Sequence, residues 1–252
     1  MNNEISKEIN QYGSNWGKLH YGYFSDTETA SPFIEKIKTA IAASKPQVLV
    51  DLAGGTGFIL SELIKHNTQS SIRLINLDLS GIQLQETKNS RITTVRGSIS
   101  DFKRSDIDDE SKRFCFIMRS ALHYFGKDGF MPILRHLRKQ MKEGEFFVHQ
   151  NVCFENKKDA DYINKIYALM GTGKWYPTVN QLSNFLENTG WAIKSTAAAP
   201  NLTLTCEDLA KRYNLNEKTI SRIQEISKRF GKTENDTFCG YLHYKIFTCA
   251  AV

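Results

Sequence analysis

Residues 48–57 read Val-Leu-Val-Asp-Leu-Ala-Gly-Gly-Thr-Gly. The apolar run at 48–50 is typical of a strand buried on both faces of a parallel sheet. Glycines at the end of the stretch allow positive φ and let a ligand approach the backbone. Apolar residues recur at helical spacing over 58–64, so the loop should lead into a helix N-terminus, which favours an electron-rich ligand. The stretch therefore predicts a strand, a glycine-rich loop and a helix that together bind a nucleotide-like molecule.

A second acid indicates how this loop is used. Asp78 ends the strand-like run 71–79 and lies 21 residues after Gly57. The end of a second strand reaches a ribose held over the first loop at close to this spacing. A carboxylate there accepts hydrogen bonds from both ribose hydroxyls, so we predict that Asp78 binds a ribose.

The order of the acid and the small residues narrows the class of ligand that the loop can bind. The motif is Asp51-x-Ala53-x-Gly55-x-Gly57, with the acid before the loop, and neither the dinucleotide pattern G-x-G-x-x-G nor a P-loop Gly-Lys-Ser/Thr is present. It resembles the first motif of class I S-adenosylmethionine-dependent methyltransferases of the small-molecule type, with Ala53 where glycine is commonest. The resemblance implies S-adenosylmethionine as cofactor, S-adenosylhomocysteine as product and no metal. A carboxylate at Asp51 suits a ligand with an ammonium group and a sulfonium.

The resemblance covers residues 45 to about 195 and also implies the fold. Later strand-like runs lie at 92–95, 114–118, 144–152, 191–205 and 238–250, with a helix over 131–141. The family order implies an α/β, Rossmann-like, doubly wound sheet of seven strands, mostly parallel with an antiparallel last strand. We expect a helical lid at 1–44 and a core domain at 45–252, with a helical insertion at about 206–232 between strands 6 and 7.

Twelve residues form the cofactor site that the resemblance implies. Ser98 stands where the family often has an acid for the adenine amino group, and Ile99 is expected against the adenine ring. The expected cofactor-binding residues are Tyr21, Asp51, Ala53, Gly54, Gly55, Gly57, Asp78, Leu79, Gly97, Ser98, Ile99 and Arg119.

The segment before the first strand is rich in aromatic rings and glycines over 16–24. Similar segments in small-molecule methyltransferases fold over the cofactor, so we predict a lid here, although packing of the rings on the sheet is the alternative. A helix should follow, with Ser31 as N-cap and Pro32 at its first position. The expected substrate-pocket residues, including two in the loop before a helix at 179–186, are His20, Tyr23, Tyr124, Trp175 and Tyr176.

A general base is expected only for some acceptors. Methyl transfer to an amine or an acidic phenol needs none, whereas a less acidic hydroxyl is helped by a histidine within hydrogen-bond reach. His123 is our first candidate because the carboxyl ends of parallel strands open into the binding crevice, and His149 is the second. Whether oxygen, nitrogen or carbon accepts the methyl group stays open.

Composition excludes several classes of protein. The 252 residues are 40% apolar and 24% charged, as in an ordinary globular domain. No run approaches the about 18 apolar residues of a membrane span, and the polar N-terminus is not that of a signal peptide. Five scattered cysteines without a C-x-x-C pair predict reduced thiols in a cytoplasmic protein, without disulfides or a metal. The net charge of +6 is spread along the chain, which does not favour a nucleic-acid partner.

Other interpretations stay open beside a small-molecule methyltransferase, whose acceptor would be a metabolite in a biosynthetic pathway. An enzyme of the same fold could use the sulfonium only as a fixed charge, for example in a cyclisation. Residues 207–222 resemble a helix-turn-helix, which would direct Lys218, Thr219 and Arg222 to DNA. A helical lid or an oligomer contact, including a homodimer, is the favoured use of this segment.

Overall fold

The apolar run that begins at residue 48 forms a central strand of a sheet covered on both faces. The computed structural model describes residues 22–66, 71–230 and 238–252. Along the chain the elements are α1 (Thr27–Ser44), β1 (Val48–Leu52), α2 (Phe58–Lys65), β2 (Arg73–Asp78), α3 (Gly81–Gln85), β3 (Ile92–Arg96), α4 (Arg104–Ile107), β4 (Phe114–Arg119), a 3-10 helix (Leu122–Phe125), α5 (Gly126–Lys139), β5 (Phe146–Val152), α6 (Lys157–Leu169), α7 (Val179–Glu187), β6 (Trp191–Ala198), β7 (Leu202–Thr205), α8 (Cys206–Tyr213), α9 (Glu217–Arg229), β8 (Phe238–Leu242) and β9 (Tyr244–Ala251).

The main sheet has seven strands in the order β3-β2-β1-β4-β5-β9-β6. Neighbours from β3 to β5 pair in parallel, whereas β9 is antiparallel to both β5 and β6. The predicted α/β, Rossmann-like, doubly wound architecture with an antiparallel last strand is therefore confirmed. The strand order reverses between β1 and β4, and the carboxyl ends of these two strands open the crevice in which such sheets bind ligands.

The strand residues alternate between two hydrophobic clusters, one on each face of the sheet. Leu49, Cys115 and Ile117 face the cluster that contains α1 and α2. Val50 and Phe116 face the cluster that contains α5 and α7. Because successive strand side chains point to opposite faces, an uninterrupted apolar run is what a sheet covered on both sides requires.

Helix α1 begins earlier than predicted. Its N-cap is Asp26, whose carboxylate accepts a hydrogen bond from the Thr29 N–H at 2.7 Å, so Ser31 and Pro32 lie inside the helix. The expected cap at Ser31 is wrong, because the apolar face that packs on β4, β5 and β9 already includes Ala30. From residue 27 onward the expected lid is thus a core helix. Residues 1–21 lie outside the described residues, so the lid itself stays a prediction.

Helix α5 also starts earlier than the expected 131, at Gly126. Its buried residues begin at Phe130 and continue through Ile133, Leu134 and Leu137. The row of buried apolar residues therefore already begins at Phe130, one residue before the predicted start of the helix. Within the described ranges, no helix combines the length and the apolar character needed to cross a bilayer.

The insertion is larger than expected and includes a small sheet. Each of the runs 191–205 and 238–250 divides into two strands, and β7 pairs with β8 apart from the main sheet. Helices α8 and α9 lie between β7 and β8 in the chain, and α9 packs on α6, where the Tyr162 hydroxyl donates to Ser227 Oγ at 2.8 Å.

The expectation of reduced thiols without disulfides is wrong for one pair of cysteines. Cys206 at the start of α8 and Cys239 in β8 form a disulfide across 33 residues of sequence. Sequence spacing could not indicate this pair, because it depends on β7 and β8 lying side by side. The thiols of Cys115, Cys153 and Cys249 are free and buried in the core.

Candidate cofactor-binding site

A cavity opens at the carboxyl ends of β1, β2 and β4. The glycine-rich loop after β1 forms one wall, and the residues that follow β4 form another. The lining residues are Phe24, Asp51, Ala53, Gly54, Gly55, Thr56, Phe58, Ile59, Asp78, Leu79, Ser80, Gln83, Gly97, Ser98, Ile99, Arg119, Ser120, Ala121, Tyr124 and Phe125.

The loop after β1 needs small residues for two separate reasons. A Cβ at Gly54 would lie 2.5 Å from both the Asp51 carboxyl carbon and the Asn76 side-chain oxygen, so only glycine fits there. Gly55 has a φ of +59°, a conformation that side chains disfavour. Ala53 has a similar φ of 56°, which is the conformational reason that glycine is the easier residue at this position.

Asp78 is fixed at the end of β2 by backbone donors. Its Oδ2 accepts from the Gly55 N–H at 2.8 Å and its Oδ1 from the Ser80 N–H at 2.7 Å. Burial raises the pKa of Asp78, and these backbone hydrogen bonds act in the opposite direction. The carboxylate is thus held at the cavity edge beside the loop.

Asp51 is a buried acid of the cavity to which no described residue donates a hydrogen bond. Its side chain is 1% exposed, and neither carboxylate oxygen has a hydrogen-bond partner among the described residues. Burial, with a smaller effect from nearby Asp78, raises its pKa to about 8, while Arg119 lowers it. A buried carboxylate without a donor is costly, and a cationic or N–H-bearing ligand group would satisfy it.

Arg119 ends β4 beside these acids. It donates to the carbonyl oxygens of Phe24 at 3.2 Å and Tyr23 at 3.4 Å, and its Nε is buried without a hydrogen-bond partner. Burial lowers its pKa, and Tyr23, Tyr244 and Asp51 act against this. The cavity therefore presents a buried carboxyl group without a donor in the described part of the chain and a cation with spare hydrogen-bonding capacity, a pair complementary to the ammonium and carboxylate of an amino acid.

Comparison with known proteins is informative at the level of structure. No protein-family model and no curated protein matches the chain by sequence. A candidate methyltransferase of Bacillus halodurans C-125 superposes with a TM-score of 0.64 at 16% identity, over 86% of this chain and 97% of that one. The fold is that of the class I methyltransferases.

Two further solved structures share this fold. The geranyl diphosphate C-methyltransferase of Streptomyces coelicolor A3(2), solved with Mg²⁺, geranyl diphosphate and S-adenosylhomocysteine, has a TM-score of 0.55 at 13% identity, covering 88% of this chain and 79% of its own. The cyclopropane synthase MmaA2 of Mycobacterium tuberculosis has a TM-score of 0.55 at 15% identity, covering 86% and 83%. Identities this low show a common fold.

The structure gathers most of the expected cofactor-binding residues around the cavity. Gly57 does not line it; with a φ of 72° it is the N-cap of α2. Tyr21 lies outside the described residues. The expected residues that line the cavity are Asp51, Ala53, Gly54, Gly55, Asp78, Leu79, Gly97, Ser98, Ile99 and Arg119.

The structure places neither candidate base at the cavity. His149 is fully buried in β5 between the rings of Phe147 and Phe247, at centroid distances of 4.5 and 5.3 Å. Burial lowers its pKa to about 3, so His149 is a neutral core residue. The prediction that it acts as a base is wrong. His123 is 8% exposed and stacks on Tyr176 at 5.2 Å, behind the cavity wall.

Of the expected substrate-pocket residues, only Tyr124 lines the cavity among those that the structure describes. Tyr23 stacks on Tyr244 in the core, and Tyr176 is 2% exposed. Trp175 packs edge-on against Phe130 at 5.3 Å. These rings are held by neighbouring aromatic side chains, a contact that sequence spacing does not show. His20 lies outside the described residues.

Several lining residues escaped the sequence-based prediction. Phe24 belongs to the aromatic segment before α1, and Gln83 lies in α3, the short helix after Asp78. Ser120 follows Arg119 directly and could have been found from its place after a parallel strand.

Proposed function

We propose that the chain is an S-adenosylmethionine-dependent methyltransferase that acts on a small-molecule acceptor, a metabolite. The buried Asp51 carboxylate carries this proposal, because it lies beside a glycine-rich loop and accepts no hydrogen bond from the described residues. An ammonium group would satisfy it and favour its charged form, whereas a pyrophosphate offers no donor and would be repelled by the ionised carboxylate. The dinucleotide cofactors that other Rossmann-like folds bind are thereby disfavoured.

The other lining residues support the same cofactor. Asp78 would accept the ribose hydroxyls, and Arg119 would bind the carboxylate of the methionine part. Ser98 and the buried Ile99 would flank the adenine at the end of β3. When bound, S-adenosylmethionine supplies an electrophilic methyl group, and its carbon–sulfur bond breaks as the acceptor's lone pair bonds to the methyl carbon.

The protein's part in such a reaction is to align and to exclude water. The acceptor would enter beside Phe24, Tyr124 and Phe125, whose rings belong to the cavity wall. No histidine lines the cavity within the described ranges. This arrangement favours an acceptor that is already nucleophilic without a histidine base, such as an amine or an acidic phenol.

Calorimetric titration with S-adenosylhomocysteine tests the cofactor assignment directly. We expect micromolar or tighter binding with one site per chain, and absence of binding contradicts the proposal. A screen of small amines and phenols with methyl-labelled cofactor then tests the reaction. S-adenosylhomocysteine must accumulate in step with methylated product. Loss of substrate without methyl incorporation would instead favour a reaction such as cyclisation.

A further inference from the structure

Ser120 has a backbone conformation that its place in the fold does not explain. Four non-glycine residues of the described ranges have a left-handed φ: Lys45, Ala53, Ser120 and Asn214. Lys45 and Asn214 are helix C-caps, where this conformation is common. The other two, Ala53 and Ser120, both line the cavity. Left-handed non-glycine residues cluster at functional sites, where the surrounding structure maintains the strain.

Contacts from two strands hold Ser120 in this conformation. Its N–H donates to the Gln150 carbonyl oxygen of β5 at 2.7 Å, which continues the pairing of β4 with β5. Its Oγ lies 2.9 Å from the hydroxyl of Tyr244, the first residue of β9. Both the peptide and the side chain of Ser120 are thus fixed from the side away from the cavity.

Tyr244 is suited to hold a hydroxyl group and not to remove a proton. It is 2% exposed, and burial raises its pKa to about 12, so it stays a neutral phenol. Its ring stacks on Tyr23 at 5.3 Å, and the Tyr23 hydroxyl donates to the Pro200 carbonyl oxygen at 2.5 Å. The Tyr244 hydroxyl is therefore rigidly placed behind Ser120.

Ser120 lines the cavity, and its hydroxyl keeps hydrogen-bonding capacity beyond the contact with Tyr244. A serine hydroxyl donates one hydrogen bond and accepts two, and the contact with Tyr244 uses one of these. Strand β4 is the direct neighbour of β1, so Ser120 lies at the same carboxyl end of the sheet as the glycine-rich loop. The same cavity wall includes the rings of Phe24, Tyr124 and Phe125.

We propose that Ser120 Oγ hydrogen-bonds the methyl-accepting atom and that Tyr244 is a positioning residue that fixes this oxygen. The inference rests on the proposed function and specifies its substrate class. The acceptor is a small apolar or aromatic molecule whose neutral nitrogen or oxygen carries a hydrogen. Ser120 accepts that hydrogen, which aims a lone pair of the nucleophile at the methyl carbon. After transfer the proton leaves to water and the electron pair of the broken bond stays on sulfur.

The test does not require the natural acceptor to be known. Sinefungin is a cofactor analogue in which an amine-bearing carbon replaces the methyl-bearing sulfur, so its amine takes the place of the transferred methyl group and donates hydrogen bonds to the groups around the acceptor's position. Binding of sinefungin and of S-adenosylhomocysteine is measured by calorimetry for the wild type and for Ser120→Ala. We expect S-adenosylhomocysteine affinity within about threefold of wild type. Sinefungin affinity should fall about tenfold, as loss of a hydrogen bond to a charged group predicts.

Three further variants separate the effect of the Ser120 hydroxyl from effects of backbone conformation and of serine removal in general. Ser120→Gly removes the same hydroxyl but relieves the left-handed backbone, so it provides a folded protein if the alanine variant is unstable. Tyr244→Phe keeps the ring on Tyr23 and should weaken sinefungin alone, by about threefold, as expected for one neutral hydrogen bond. Ser105→Ala is the matched control, because this exposed serine of α4 does not line the cavity. It should leave the ratio of the two affinities unchanged.

The outcomes are distinct. An unchanged affinity ratio in both Ser120 variants overturns the inference and leaves the proposed function standing. An unchanged ratio in Tyr244→Phe overturns the positioning role of Tyr244. If the wild type does not bind S-adenosylhomocysteine at all, the proposed function fails and the inference fails with it.

Discussion

The Gly55 N–H donates to Asp78 Oδ2 at 2.8 Å, so the first loop and the end of the second strand are joined by a direct hydrogen bond. This contact joins two residues of the predicted binding site that are 23 residues apart in the sequence. It holds the carboxylate over the cavity before any ligand binds. Ordering of the acid is then not a cost that cofactor binding has to overcome.

Replacement of Asp78 by asparagine should therefore weaken cofactor binding strongly. The amide keeps the shape but loses the charge and one acceptor oxygen, and hydrogen bonds to charged groups contribute about 1.5–3 kcal/mol each. We expect the affinity for S-adenosylhomocysteine, measured by calorimetry, to fall roughly 10- to 100-fold. Asp161→Asn, on the exposed face of α6, is the matched control. Equal affinities in the two variants would show that Asp78 does not bind the ligand.

Asp51 should make cofactor affinity depend on pH. With a pKa raised to about 8, its carboxyl group is protonated in the free protein below that pH. A bound ammonium group favours the carboxylate, so binding below pH 8 releases a proton. Affinity should rise between about pH 6 and 8, by at most about tenfold per pH unit.

Two measurements check this dependence. Calorimetry in buffers of different ionisation enthalpy reports proton release upon binding of S-adenosylhomocysteine. Asp51→Asn should bind more weakly and lose the rise in affinity with pH. A wild type whose affinity is flat from pH 6 to 8, with no proton released, contradicts the proposed pairing of Asp51 with the ammonium.

Local signals explain which parts of this molecule could be predicted from sequence. The strand, loop and helix over 48–65 depend on apolar spacing and on glycines that are neighbours in the chain. The boundary of α1 differs from the prediction because Ser31 and Pro32 imitate a helix start, while the true cap at Asp26 lies five residues earlier. Such competition between adjacent signals is decided by packing, which the sequence does not display.

Long-range contacts explain what could not be predicted. The Cys206–Cys239 disulfide and the stacking of Tyr23 on Tyr244 both join distant parts of the chain. His149 was misjudged for a related reason. A polar residue near the end of a buried strand points either into the crevice or into the core, and here Phe147 and Phe247 enclose it.

Ala53→Gly should be tolerated and should stabilise the fold or leave it unchanged. Ala53 has a φ of 56°, which costs an L-residue about 1–2 kcal/mol, while glycine loses about 0.5–1 kcal/mol through unfolded-state entropy. In α1 the exposed Ala42 is helical, so Ala42→Gly should instead lower the free energy of unfolding by about 1 kcal/mol. Urea denaturation compares the two. A loss as large at position 53 as at position 42 contradicts strain in the loop.

His149→Phe should flatten the dependence of stability on pH and retain methyl transfer. The pKa of His149 is lowered to about 3 in the folded protein, so below its ordinary value of 6.5 only the unfolded chain takes up the proton. Stability is therefore lost as pH falls from 6.5 to about 3, by up to about 1.4 kcal/mol per pH unit, and phenylalanine removes this loss. Phe247→Leu removes a ring from the same stack but does not remove the titrating His149. Urea denaturation should therefore find that this change lowers the free energy of unfolding by the same amount at every pH. If His149→Phe keeps the wild-type slope, or if methyl transfer disappears in a protein that still binds S-adenosylhomocysteine, then His149 is not the neutral core residue described above.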